Sequence, residues 1–132
     1  MEDTRILIVD DQPEFRAMLT VILQKSGFQV FAAADGEEAL RLVSEIAPDL
    51  ILMDISMPGM DGMETARRVR QLTSAPILFL SALGGPETVA RGRAVGGTGH
   101  LTKPFRTAEL ILRIQKELSA SGIRATQING IR

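Results

Sequence analysis

The sequence predicts an α/β domain in which helices cover both faces of a parallel sheet. Short apolar runs, typical of buried strands, alternate along the chain with longer segments whose apolar residues recur at helical spacing. The alternation predicts five strands and five helices, joined by connections of two to six residues. Because the crossovers between parallel strands are right-handed, such units build a doubly wound sheet.

The first half of the chain accounts for three strands and two helices. The predicted elements are a strand at 6–9, a helix from Pro13 to 25, a strand at 28–33, a helix at 36–46 and a strand at 50–53. Proline is favoured in the first turn of a helix, and Ser26-Gly27 and Ala47-Pro48 are typical helix ends. The apolar run at 50–53 delivers Asp54 at its carboxyl end.

The second half continues the same alternation. The predicted elements are a helix at about 63–72, a strand at 76–80, a short helix at 88–95, a strand at 100–102 and a helix at about 107–118. We expect Leu72 to face the core, Arg70 to face solvent, and Thr107 to cap the last helix. The glycine-rich segment 96–99 follows a helix and precedes a strand. This is the reverse of the order in a dinucleotide-binding loop, and the segment is interpreted as a turn.

The amino-acid composition of the chain disfavours several classes of function and indicates a cellular location. The 132 residues carry 15 Lys and Arg against 16 Asp and Glu, so no basic excess favours nucleic-acid binding. Five Phe, without Trp or Tyr, leave few rings for stacking on bases or flavins. No apolar run approaches the roughly 20 residues that cross a bilayer, and residues 1–5 are too polar for a signal peptide. The lack of Cys is compatible with a reducing compartment, and the cytoplasm is the expected location.

Carboxylates follow two of the predicted strands, Asp10 and Asp11 the first and Asp54 the third. Ligands bind at the carboxyl ends of strands in an open α/β sheet, although Asp is also a common helix N-cap. Three like charges about 4 Å apart repel by roughly 4 kcal/mol per pair at an effective dielectric near 20. A raised pKa, a divalent cation or a nearby Lys must compensate them. An all-oxygen set suits Mg²⁺ or Mn²⁺, whereas zinc would require His or Cys.

A flavodoxin-like strand order, 2-1-3-4-5, places the ligand-binding crevice between the first and third strands. These are the two strands that end in acids. Ser81 follows the fourth strand and Lys103 follows the fifth. The sequence therefore predicts one edge of the sheet that carries carboxylates, a hydroxyl and an ammonium group.

Four motifs at these strand ends resemble the receiver domain of two-component response regulators. They are Val9-Asp10-Asp11, Met53-Asp54 with Met57-Pro58-Gly59-Met60-Asp61-Gly62, Leu80-Ser81-Ala82, and Leu101-Thr102-Lys103-Pro104-Phe105. Each motif is weak alone, but four at the spacing of the family are specific, and the resemblance spans residues 5–118. It implies a receiver domain at 1–118, with 119–132 as a flexible tail or the start of a linker.

The resemblance also implies a role for each residue at this edge. Asp54 would be the phosphoacceptor, taking a phosphoryl group from a histidine of a sensor kinase or a phosphotransfer protein. Lys103 would pair with Asp54 at rest, and Ser81 would donate its hydroxyl to a phosphoryl oxygen. The implied Mg²⁺ ligands are the carboxylates of Asp10, Asp11 and Asp54 and the backbone carbonyl of Ser56.

A chain of this kind would be a phosphorylation-activated switch and not an enzyme. Phosphorylation would change the surface around the fourth helix, the fifth strand and the fifth helix, and so control an output partner or domain. Membrane attachment and direct nucleic-acid binding by this domain are not expected.

Three positions on that surface depart from the family pattern. His100 stands where the family has an aromatic residue that swings inward on activation. It is either a rotamer switch with added pH sensitivity or a half-exposed strand histidine without coupling. Thr98 and Gly99 replace two acids used by members that dimerise through this face. Arg113 would thereby lose its acidic partners, so we expect any homodimer to be weak.

Three rival functions are weighed against the switch. A Mg²⁺-dependent phosphatase with an aspartyl-phosphate intermediate would need a second Asp two positions after its nucleophile, where Gln12 follows Asp10. A flavin-binding electron carrier of the same fold would need a hydroxyl-rich phosphate loop after the first strand. A receiver-like binding module that no longer takes phosphate is disfavoured by the intact Asp54 and Lys103.

Overall fold

A computed structural model of the chain describes residues 3–57, 59–82 and 84–122, and its strands form one parallel sheet. The strands are β1 (Arg5–Val9), β2 (Gln29–Ala33), β3 (Leu50–Asp54), β4 (Ile77–Ser81) and β5 (Gly99–Thr102). Their order is β2-β1-β3-β4-β5, and every neighbouring pair is parallel. The predicted fold class and strand order are confirmed.

In the described part of the chain, five helices pack on the two faces of this sheet. They are α1 (Pro13–Lys25), α2 (Gly36–Ile46), α3 (Gly62–Val69), α4 (Pro86–Ala94) and α5 (Thr107–Ala120). Successive strand residues point to opposite faces, so Ile6 and Ile8 pack towards α1 and α5, whereas Leu7 and Val9 pack towards α2 and α3. The sheet is therefore buried on both sides, as its uninterrupted apolar runs require.

Helix α4 is the least buried of the five. Its only buried residue is Gly92, where an added Cβ would lie 3.0 Å from a carbon of the Phe79 ring. The glycine that weakens this helix in sequence terms thus allows it to approach the sheet closely. Across the described residues, no helix is long and apolar enough to cross a membrane.

Two predictions about α3 are wrong. The helix ends at Val69, so the residues that follow leave the helical period, and Leu72 is 52% exposed. Arg70 turns inward instead and donates hydrogen bonds to the backbone carbonyls of Thr73, Ala75 and Gly96. Its guanidinium closes two loops at once, which local periodicity does not predict.

The ends of α5 also differ from expectation. Thr107 is not the N-cap but the first helical residue, because Leu110 N–H donates the first helical hydrogen bond to the carbonyl of Arg106 at 3.0 Å. The helix continues to Ala120, so the first two residues of the predicted tail are helical. Ser121 and Gly122 follow the helix, and residues 123–132 of that tail lie outside the described residues.

Candidate functional site

Asp10, the first of the two acids after β1, is held by hydrogen bonds to β2, to its own loop and to α1. The backbone N–H of Asp10 donates to the carbonyl of Ala33 at 3.1 Å, which extends the pairing of β1 with β2 by one residue. Its carboxylate accepts a hydrogen bond from the backbone N–H of Gln12 at 2.8 Å, and its carbonyl accepts one from Arg16 Nη1 at 2.7 Å. Asp10 is buried and Asp11 is half-buried, so the second acid has more access to solvent.

Asp54 ends the central strand, and the turn after it depends on a glycine. The backbone N–H of Gly62 donates to the carbonyl of Ile55 at 2.8 Å. A Cβ on Gly62 would lie 2.0 Å from the carbonyl oxygen of Asp54, which no side chain tolerates. Only glycine therefore lets the start of α3 pack against the loop that carries Asp54. The sequence signal for this close approach is a glycine directly after the N-cap Asp61.

The two strand ends bring the three carboxylates together. One carboxylate oxygen each from Asp10, Asp11 and Asp54 lies within 4.8 Å of the others. Strand pairing explains the proximity, since Val9 lies opposite Met53 in the β1–β3 ladder. Ser56 is exposed, and the Asp54 carboxylate accepts a hydrogen bond from its backbone N–H. Its carbonyl as a metal ligand stays a prediction.

Lys103 and Ser81 reach the same edge from β5 and β4. The ammonium Nζ of Lys103 lies 3.4 Å from Asp10 Oδ2 and 3.9 Å from Asp54 Oδ1, so it is shared by two carboxylates and lies nearer to Asp10. The backbone N–H of Lys103 donates to the carbonyl of Ser81 at 2.8 Å. Ser81 is buried at the last position of β4. The predicted carboxylates, hydroxyl and ammonium group thus share one edge.

Burial makes Asp54 a weak acid for an aspartate. The pKa of Asp54 is raised from 3.8 to about 6, chiefly by burial and also by the like charges of Asp10 and Asp11, while Lys103 and the Ser56 backbone act to lower it. At neutral pH the carboxylate is therefore ionised at a free-energy cost. A bound cation would relieve that cost, because opposite charge favours the ionised form.

This shift predicts how stability depends on pH in metal-free protein. The pKa of Asp54 is higher in the folded state than in the unfolded state, so protonation of Asp54 stabilises the fold. This contribution to the free energy of unfolding is fully present below about pH 4 and is lost as the pH rises through about 6. Relative to Asp54→Asn, the free energy of unfolding of the wild type should fall by about 2 to 3 kcal/mol across that window. Urea unfolding of both proteins in EDTA at several pH values measures this. A difference between them that does not change with pH would contradict it.

His100 lies within β5, three residues before Lys103. It lines a cavity of about 620 Å³ between α4, β5 and α5. Both of its ring nitrogens are buried, and among the described residues neither has a hydrogen-bond partner. A buried polar group without a partner costs on the order of 1 to 3 kcal/mol, so the present orientation of this ring is not strongly preferred.

Arg113 has an acidic partner within its own helix, distinct from the acids that Thr98 and Gly99 replace. Its Nη2 lies 3.9 Å from Glu117 Oε2 one turn along α5, and its Nη1 donates to the carbonyl of His100 at 3.0 Å. A Cβ at Gly99 would lie 2.5 Å from Glu117 Oε2, so the glycine makes room for this ion pair over β5. The guanidinium is therefore engaged within the chain.

Comparison with known proteins agrees with this arrangement. The family model described as the response regulator receiver domain matches residues 6–115. A curated relative, the DNA-binding response regulator MtrA of Mycolicibacterium smegmatis, is 39% identical over 114 residues, which are 86% of this chain and 50% of that protein. The chain thus spans about half the length of this relative.

Solved structures give the same result. The chemotaxis protein CheY4 of Vibrio cholerae superposes with a TM-score of 0.83 at 39% identity, covering 86% of this chain and 97% of the other. A putative response regulator from Chloroflexus aurantiacus gives a TM-score of 0.82 at 39% identity, covering 88% and 98%. The chain belongs to the family of response regulator receiver domains, the phosphorylation-regulated switches of two-component systems.

Proposed function

We propose that Asp54 accepts a phosphoryl group from the histidine of a sensor kinase or a phosphotransfer protein, in a reaction that depends on Mg²⁺. One observation carries this proposal: Asp54 lies within reach of two further carboxylates and of the Lys103 ammonium at a single edge of the sheet. Neighbouring carboxylates at this spacing repel, so the cluster is suited to a divalent cation. The phosphoryl group that the cation would accompany is itself anionic.

The residues present fit a magnesium ion. The donor set contains only oxygen, with three carboxylates that can each offer one atom, and such a set is preferred by Mg²⁺ or Mn²⁺ over zinc. Receiver domains bind Mg²⁺ through a cluster of aspartates of this kind. Here the ligands would be the carboxylates of Asp10, Asp11 and Asp54 and the backbone carbonyl of Ser56. When bound, the ion would supply positive charge to the equatorial oxygens of the transferring phosphoryl group.

The chain's own residues perform the transfer. A carboxylate oxygen of ionised Asp54 attacks phosphorus in line with the bond to the donor histidine. The new O–P bond forms as the N–P bond breaks, and the electron pair of that bond returns to the imidazole nitrogen. Lys103 neutralises charge that develops on the phosphoryl oxygens, and the Ser81 hydroxyl donates a hydrogen bond to one of them. The product is an acyl phosphate on Asp54, so the protein changes state and turns over no external substrate.

The test uses a small phosphodonor, so that no partner kinase is needed. The protein is incubated with acetyl phosphate in Mg²⁺ or in EDTA, and the intact mass and the modified peptide are determined. We expect one added phosphoryl group, located at Asp54, in Mg²⁺ and none in EDTA. A protein that stays unmodified by small phosphodonors in Mg²⁺, or one modified at another residue, would contradict the proposal.

We propose that the signal leaves through α4, β5 and α5, with His100 as the responding side chain. Ser81 precedes the loop into α4 and pairs with Thr102 of β5, so a movement of its hydroxyl acts on both elements. The unpartnered ring nitrogens of His100 leave its ring free to adopt another rotamer at low cost. Beryllofluoride, a phosphoryl mimic, should therefore shift the ring resonances of His100 in NMR spectra. Unchanged ring resonances alongside shifted resonances of Ser81 would exclude His100 as the switch.

We propose further that any homodimer through this face is weak. Arg113 already pairs with Glu117 and the carbonyl of His100, so a dimer would have to break these contacts or do without its charge. We expect beryllofluoride-treated protein to sediment as a monomer at about 10 μM, which corresponds to less than roughly 7 kcal/mol of association free energy. A tight dimer through this face under those conditions would contradict the prediction.

We also propose what this domain acts on, where it is located and where it ends. The relative MtrA is named as DNA-binding and is about twice the length of the matched region, but this chain as a whole carries a net charge of −1. We propose that the domain does not itself bind nucleic acid and acts on an output domain or partner instead. We propose that the protein is located in the cytoplasm. We also propose that the receiver domain ends near residue 118.

A further inference from the structure

An aromatic ring lies against the ammonium group of Lys103. Phe15 lies in the first turn of α1, and the Lys103 Nζ lies 4.0 Å from the centroid of its ring. A cation at this distance over a ring face is attracted by the negative face of the π system. The sequence does not predict this contact, because Phe15 and Lys103 are 88 positions apart and Phe15 also fits an ordinary apolar helix face.

The carboxylates alone hold the ammonium group loosely. Its distances of 3.4 Å to Asp10 and 3.9 Å to Asp54 both exceed the roughly 2.7 to 2.9 Å of a short charged hydrogen bond. A lysine side chain also has four carbon atoms between its backbone and its charge, so many rotamers compete. A third contact is needed to keep the charge between the two acids, and the ring of Phe15 supplies it.

The ring is itself fixed in place. Phe105 contacts it edge to face, with 6.2 Å between ring centroids and 69° between ring planes. Both rings pack against the hydrophobic core under α1 and α5. The two rings and Lys103 line an apolar cavity of about 440 Å³, which is completed by Met18, Ala82 and Pro104. The Lys103 ammonium therefore lies close both to the carboxylates and to an apolar surface, with its side chain 23% exposed.

From this geometry we infer that Phe15 is a positioning residue for phosphoryl transfer, acting through Lys103. The ring face keeps the ammonium group where it can meet a phosphoryl oxygen on Asp54. Without the ring, the side chain populates rotamers that point away from Asp54, and the transition state loses part of its charge stabilisation. The inference rests on the proposed function and adds to it a residue outside the four motifs.

The decisive variants change the ring while keeping an apolar side chain. In Phe15→Leu the rate of phosphorylation by acetyl phosphate in Mg²⁺ should fall about threefold to tenfold, the range expected for loss of a partly desolvated cation–π contact. Phe15→Tyr keeps the ring face and should stay within about twofold of the wild type. Phenylalanine analogues with increasing fluorination weaken the ring's negative face with little change of shape, and should slow the reaction stepwise. Met18→Leu, in the same cavity but not over Lys103, is the matched control and should not change the rate.

Two further readouts separate positioning from packing. In a Lys103→Met background, Phe15→Leu should cause no additional slowing, because the residue through which the ring acts is gone. By NMR, the ε-methylene protons of Lys103 should lose their ring-current shift in Phe15→Leu and retain it in Phe15→Tyr. Rates are compared per folded protein, so that a loss of stability alone changes none of these results.

Each failure has its own meaning. A rate for Phe15→Leu equal to that of the wild type, a flat response to fluorination, or equal slowing in the Lys103→Met background would overturn the inference and leave the proposed function intact. Wild-type protein that takes no phosphoryl group would overturn the proposed function, and the inference with it.

Discussion

We expect Asp54→Asn to take up no phosphoryl group. Acetyl phosphate in Mg²⁺ should add no mass to this variant at times when the wild type is fully modified. The amide that replaces the carboxylate is similar in size, but it offers no anionic oxygen to attack phosphorus. Asp54 is also the only member of the carboxylate cluster at the end of the central strand, so its neighbours cannot take over without a shift of the loop after β1. Intact-mass and peptide measurements over a time course give the result.

The control for that variant removes a carboxylate elsewhere. Asp35 caps α2 and accepts a hydrogen bond from the backbone N–H of Glu38 at 2.8 Å. Because Asn is also a good N-cap, Asp35→Asn should keep the fold and phosphorylate at the wild-type rate. Stability in EDTA at pH 7 is a second check, since Asp54→Asn removes a buried charge and should raise it. Phosphorylation of Asp54→Asn at another aspartate with wild-type kinetics would exclude Asp54 as the phosphoacceptor.

Lys103→Met has the second largest expected effect, slowing phosphorylation by acetyl phosphate about 100-fold, in the range observed when one preorganised charge-stabilising group is lost. Methionine keeps much of the length and apolar character of the lysine stem, so the change is mainly in charge. The ammonium group lies between Asp10 and Asp54, where phosphoryl oxygens would accumulate negative charge. Without it, Asp54 also loses the larger of the two interactions that lower its pKa, so less of the carboxylate is ionised at pH 7.

Lys116→Met is the matched control, because Lys116 is an exposed lysine of α5 away from the carboxylates. Its rate should equal that of the wild type. Mg²⁺ affinity must be measured for both variants, since removal of a cation also changes the attraction of the site for metal. The prediction fails if saturating Mg²⁺ restores the wild-type rate in Lys103→Met, because the lysine would then act on metal binding alone.

Much of the candidate site could be predicted because strand ends carry it. Asp10, Asp54, Ser81 and Lys103 each follow or end a short apolar run, and parallel strands bring those ends to one edge. Positions that depend on side-chain packing were predicted less well. Leu72 was expected in the core, but it follows a helix that ends three residues earlier. The sequence indicates that Arg113 lacks the acids replaced by Thr98 and Gly99, but it does not indicate that Arg113 pairs with Glu117 one turn away on the same helix.

By itself the sequence determined the order of the elements, the topology of the sheet and the chemistry at its carboxyl edge. These follow from local signals, namely apolar periodicity, turn residues and the residue type at each strand end, together with the handedness of crossovers. Only the tertiary structure decided that Lys103 lies nearer to Asp10 than to Asp54, that Phe15 covers its ammonium group, and that burial raises the pKa of Asp54. Such properties depend on ångström distances and solvent exclusion between segments far apart in the chain, which arise only when the segments pack together.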